Sequence, residues 1–130
     1  MPAALVLRSP QVDLTESGDS FQVNQWVDLM LPLSLMANHR LYAAGADLRH
    51  PYLSPLFGDF DGFPPTFLQS GTRDVLLSNT VRLHRRLLDA GVQAELHVFE
   101  AMPHGGFGGA PEDEALAMEI GRFMHARLRL

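Results

Sequence analysis

The sequence predicts an α/β domain, with about three parallel strands and helices packed against them. Three observations carry this reading. Short apolar runs without helical period occur at residues 3–9, 66–70 and 94–100. Amphipathic helical stripes follow the second and third of these runs. The order strand, helix, strand, helix in close succession implies right-handed parallel crossovers.

Taken in order, "AALVLRS" at 3–9 is closed by Pro10 and suits a strand buried on both faces. Residues 20–50 mix Phe21, Trp26, Val27, Leu29, Leu33, Leu41 and Tyr42 with Pro32 and are expected to form two helical pieces broken at that proline, as an insertion or cap. Residues 51–65, "PYLSPLFGDFDGFPP", carry four prolines and two glycines and are expected to be an ordered loop. "TFLQS" at 66–70 and "AELHVFE" at 94–100 read as buried strands like the first. Between them Leu76, Leu77, Val81, Leu83, Leu87 and Leu88 give a helical stripe, with Gly91 placed as its C-terminal cap. A last stripe, Leu116, Ile120, Phe123, Met124 and Leu128, follows Pro111 and the acids Glu112, Asp113 and Glu114, which favour a first helical turn.

The bulk numbers bound the function. A chain of 130 residues makes one domain that buries roughly two-thirds of its unfolded surface. Its 46% hydrophobic and 19% charged residues are ordinary for a folded protein. A net charge of −5, with "RLHRR" at 82–86 as the densest basic stretch, argues against a nucleic-acid partner. The absence of cysteine excludes disulfides, thiolate metal sites and a thiol nucleophile. Residues 26–36 are too short and too interrupted to span a membrane, and the first residues lack a leader pattern, so the default expectation is a soluble, cytoplasmic protein.

Chemistry is expected where loops converge at the carboxyl ends of parallel strands. Asp74 follows the second strand in "SGTRDVLL" and His104 follows the third in "AMPHGGF". Taken singly, they are better explained by a helix cap and a solvated loop residue. On consecutive βα loops they become neighbours, and an aspartate there can fix the imidazole tautomer so that the other ring nitrogen serves as a general base. His39, His50, His84, His97 and His125 show no metal-ligand spacing with a carboxylate, so no metal or cofactor is expected.

"SPQVDLTESGDS", "HPYLSPLFGDFDGFPPTFLQSGTRDVLL", "RRLLDAGVQAELHVFEAMPHGGF" and the closing helix together resemble the C-terminal part of the hormone-sensitive-lipase-like branch of the α/β-hydrolases, bacterial carboxylesterases and lipases. The resemblance implies a partial α/β-hydrolase fold over residues 1–130, with Asp74 as triad acid and His104 as triad base, in the family's order of serine, acid, histidine. "HGG" also resembles the family's oxyanion motif. It follows the acid loop, however, so the histidine assignment is preferred. Gly106, an extra glycine before Phe107, is expected to loosen the loop.

The family's nucleophile motif, G-x-S-x-G, does not occur in these residues. Ser17 and Ser70 lack the flanking glycines, and Ser54 matches a family loop residue. The expected function is therefore a segment of a serine ester hydrolase that supplies acid and base, inactive alone. Its substrate would be a small acyl ester, with Phe107 and the apolar 20–42 region as walls of an acyl pocket or as ordinary core. An open first strand would favour a homo-oligomer or docking with a complementing N-terminal half. The alternative is a non-catalytic interaction module. A third reading, "HGGFGG" as a phosphate cradle, is opposed by the missing P-loop lysine and by the acids at 112–114.

Overall fold

The computed structural model describes residues 1–31 and 34–128. Strand β1, Leu5–Arg8, leads through two short helices, α1 at Ser20–Val23 and α2 at Met36–Ala43, and a single 3-10 turn at Pro55–Phe57. Then follow β2, Thr66–Gly71, helix α3, Leu77–Asp89, strand β3, Ala94–Phe99, and helix α4, Pro111–Leu128. The three strands form one parallel sheet in the order β1-β2-β3, with Leu7, Leu68 and Leu96 in register across it.

Side chains alternate between two cores, as the pleat of a strand requires. Leu68 packs with Leu83, Leu87, Leu56 and Phe60 on the α3 face, joined by Leu7 and Leu96. Phe67 packs with Leu116 and Phe123 on the α4 face, joined by Val6 and Phe99. The sheet is thus a middle layer between α3 and α4. His97 lies on the α4 face, stacked on Phe67 with its Nδ1 2.7 Å from Glu119 Oε2, which accounts for a histidine within a strand.

Only β2 meets the expectation of a strand buried on both faces; all six of its residues are buried. In β1 Leu5, Val6 and Leu7 are half-buried and Arg8 is exposed, and in β3 Glu95 and Val98 are exposed and the other four residues half-buried. The cause is position: both are edge strands of a three-stranded sheet, as the open first strand expected from the sequence already implied for β1. The stripe on α3 is narrower than its leucines suggested. Leu83 and Leu87 face the sheet, whereas Val81 and Leu88 are partly exposed. Its end is as expected: Gly91, at φ +73°, donates to the Leu88 carbonyl and Val92 to that of Leu87, both at 2.9 Å. This is the paired closure of a left-handed helix cap, with buried Val92 packed back on the core.

The middle of the chain departs further. The two helical pieces are α1, of four residues, and α2, of eight, and Pro32 with Leu33, where the break was expected, lies outside the described residues. Phe21 is buried against Val75 and Leu76. Trp26, Leu29, Met30, Leu41 and Tyr42 are exposed, which overturns ordinary core packing for them.

Candidate active site

Two loops at the carboxyl end of the sheet are clamped together by backbone geometry. The Arg73 amide donates to the Met102 carbonyl at 3.2 Å, and the Ala101 amide to Thr72 Oγ1 at 2.8 Å. Gly71 makes this approach possible, because a Cβ there would stand 2.0 Å from the Met102 carbonyl oxygen. The clamp carries Asp74 on one side and His104 on the other. Their facing atoms, Asp74 Oδ1 and His104 Nδ1, are 3.5 Å apart, longer than the 2.7–3.2 Å of a formed hydrogen bond. His104 Nδ1 has no hydrogen-bond partner among the described residues, and such contacts often tighten only when a substrate is bound.

Asp74 is fully buried. Its Oδ2 accepts hydrogen bonds from Ser9 Oγ and, at 3.1 Å, from Ser70 Oγ. Its Oδ1 accepts from the Leu76 amide at 2.8 Å, leaving the remaining lone pair to His104. Burial works against the charged carboxylate, but His104, the Ser9 hydroxyl and the Leu76 amide outweigh it and hold the pKa below the usual 3.8. The Asp74 carboxylate beside Nδ1 raises the His104 pKa above 6.5 against the opposing effect of burial, with Asp28 adding to the rise. The pair is thus biased toward carboxylate and imidazolium, the state that the acid and base of an acyl transfer must reach.

Ser9, Ser70, Asp28 and Asn24 were not legible as site residues. Asp28 accepts from the Val75 amide at 2.9 Å and fixes the turn after Asp74. Asn24 Nδ2 donates to the Asp74 and Thr72 carbonyls at 2.9 and 3.1 Å. The contacts of Ser9, Asp28 and Asn24 bridge 47 to 65 residues, so no local pattern announces them. Ser54 is fully buried, donating to the Leu48 carbonyl and accepting from the Leu14 amide, in keeping with a loop-holding role. Ser17 Oγ donates to Asp13. No group of three or more His, Cys, Asp or Glu able to hold a metal occurs among the described residues.

The glycine-rich loop is not loosened by Gly106. Asp113, in the first turn of α4, accepts hydrogen bonds from the amides of Phe107, Gly109 and Ala110 at 3.0, 2.7 and 3.0 Å, and the loop wraps its carboxylate. Gly106 sits at φ +94°, and a Cβ there would meet Asp113 Oδ1 at 2.5 Å, so the close wrap itself requires glycine. Three of the amides that a phosphate could use are already taken by this carboxylate. The Gly109 and Phe107 amides hold the Asp113 pKa below 3.8. Asp113→Ala is expected to speed hydrogen exchange at Phe107, Gly109 and Ala110 while the amides of β2 stay protected; equal exchange in both proteins would show that the carboxylate does not order the loop.

The Asp74–His104 pair also sets a pH dependence of stability. The raised His104 pKa contributes fully below the unfolded value of 6.5 and is lost as pH rises through the higher folded value. The lowered Asp74 pKa contributes fully above 3.8 and is lost as pH falls through the lower folded value. Asp13 adds to the acid side: burial disfavours its charge, but Ser17, Thr15 and Arg82 hold its pKa down. Thermal melts across pH are expected to show the pair's contribution complete between these two unfolded values. His104→Gln should flatten the alkaline slope and leave Asp13's share of the acid slope; an unchanged alkaline slope would contradict the pairing.

A parallel sheet between helices, with a carboxylate and an imidazole opposed on adjacent post-strand loops, is an arrangement found in α/β hydrolases. The chain belongs to the family described as alpha/beta hydrolase fold, whose model matches residues 1–108. It is 35% identical over 105 residues to an esterase of Acinetobacter venetianus, a match covering 78% of this chain and 34% of that protein. Among solved structures it superposes on esterase E25 with a TM-score of 0.92 and 44% identity, over 98% of this chain and 41% of that one. It superposes equally well, at 34% identity, on an esterase of the bacterial hormone-sensitive lipase family, over 98% of this chain and 44% of the other. Its place is in that hormone-sensitive-lipase-like branch, and it spans 34% to 44% of the length of these relatives.

Proposed function

We propose that residues 1–130 are the C-terminal segment of a serine ester hydrolase and supply its acid, Asp74, and its base, His104, while the nucleophilic serine lies outside them. The observation that carries this reading is the opposition of Asp74 Oδ1 and His104 Nδ1 across 3.5 Å, on loops that the backbone clamps together. His104 Nε2 takes the proton of the serine hydroxyl as the oxygen attacks the acyl carbon, and returns it to the leaving alcohol. Water then cleaves the acyl-enzyme by the same transfer in reverse, while Asp74 holds Nδ1–H and offsets the imidazolium charge.

The substrate of this reading is a small, short-chain acyl ester. A cavity of about 160 Å³ lined by Arg8, Ser9, Gln69, His104 and Gly105 gives the base an open approach. Exposed Trp26, Leu29, Met30 and Phe107 are apolar surface available to an acyl pocket. The half-open β1 edge, with an apolar hollow of about 260 Å³ beside Leu5 and Leu7, suits the serine-bearing portion or a second copy as its cover.

The purified 130-residue chain is expected to leave p-nitrophenyl butyrate at the background rate. A chimera carrying the same residues in place of the matching part of esterase E25 is expected to hydrolyse it. Turnover by the chain alone that vanishes in His104→Ala would place the nucleophile within these residues and overturn the reading. A folded but inert chimera would favour the non-catalytic interaction module.

A further inference from the structure

The geometry points to Ser9 as a positioning residue for the acid: from the end of β1 its hydroxyl holds Asp74 Oδ2 and so turns Oδ1 toward His104. The inference rests on the acid–base reading of Asp74 and His104 and goes one step beyond it. Ser9 is buried and has φ +43°, a left-handed conformation that is uncommon for a residue other than glycine, asparagine or aspartate. Its amide donates to the Gln69 carbonyl at 2.7 Å, which fixes this turn against β2. The backbone is thus held in a costly shape that delivers one hydroxyl to one carboxylate oxygen.

Satisfying the buried carboxylate does not by itself call for Ser9, because Ser70 already donates to the same oxygen. What Ser9 adds is direction. Ser70 and Leu76, the other donors, belong to the same strand, turn and helix start as Asp74 and move with it. Ser9 is sixty-five residues away, just past the end of β1, and anchors the carboxylate from outside that segment. It also lines the cavity beside His104 together with Arg8, so the hydroxyl stands between the edge strand and the acid–base pair. Without it the carboxylate keeps only donors of its own segment and loses the outside contact that sets its rotation toward an imidazole 3.5 Å distant, a separation at which alignment decides the strength of the contact.

The test is an NMR titration of the His104 ring in the 130-residue chain, comparing wild type, Asp74→Asn, Ser9→Ala and Ser9→Gly. Asp74→Asn should lower the His104 midpoint; if it does not, the pairing itself fails and the role of Ser9 with it. With the pairing intact, Ser9→Ala and Ser9→Gly should both lower the midpoint, because both lose the hydroxyl. They should differ in stability: glycine takes φ +43° without strain, so Ser9→Gly should melt at least as high as Ser9→Ala and keeps the test alive if alanine fails to fold. Asp28, whose charge also reaches His104, is retained in all four proteins and cannot produce the difference. A wild-type His104 midpoint in both Ser9 variants, beside a lowered one in Asp74→Asn, would overturn the inference and leave Ser9 a purely structural residue.

Discussion

In the chimera with the serine-bearing part of esterase E25, His104→Ala is expected to lower kcat for p-nitrophenyl butyrate by roughly 10⁴-fold to 10⁶-fold, with KM changed little. The size follows from what the imidazole does. Without a base, the serine hydroxyl attacks with its proton still attached, and the remaining catalysis comes from binding and oxyanion donors contributed by the other part of the protein. Asp74→Asn is expected to cost about 10⁴-fold. An amide in the buried site between Ser9, Ser70 and the Leu76 amide can still be held in place, but it cannot offset an imidazolium, and its NH2 can oppose the Nδ1 proton. The double variant should be little worse than His104→Ala alone, because the two residues act as one unit. Additive losses would mean that the 3.5 Å contact is not used in the reaction.

The pair was legible because it depends on topology alone. Once the 66–70 and 94–100 runs are parallel neighbours, the residues just beyond them must meet, whatever the side chains nearby. The α3 cap was legible for a similar reason, since Gly91 and its hydrogen bonds lie within one turn of the helix. Ser9 was not, because its role comes from a left-handed φ and from a carboxylate in a loop sixty-five residues away. Asp113 was legible only as a helix-start acid. Its grip on the loop arises from the positive φ of Gly105, Gly106, Gly108 and Gly109, which turns successive amides inward. The open edge of β1 was expected once only three strands were counted, but its half-burial, and that of β3, follow from what pairs with a strand and not from its composition.

Gly71→Ala is expected to destabilise the chain by about 3 kcal/mol or more and to separate the acid from the base. The added Cβ would lie 2.0 Å from the Met102 carbonyl oxygen and 2.6 Å from its carbon, and a backbone cannot swing aside as a flexible side-chain end can. Met102 is fully buried, with its carbonyl already accepting from the Arg73 amide and its Sδ contacted by Gln69 Nε2 at 3.3 Å, so retreat breaks bonds on both sides. The only relief is for residues 100–103 to move outward, and His104 moves with them. A chemical-denaturation midpoint should fall, and in the folded fraction the His104 NMR midpoint should drop toward its ordinary value as Asp74 recedes. A stable variant with an unshifted His104 would show that the two loops are held by something other than this backbone contact. The steric fact and the chemical one share a cause, because the glycine that lets two loops touch also brings a carboxylate within reach of an imidazole.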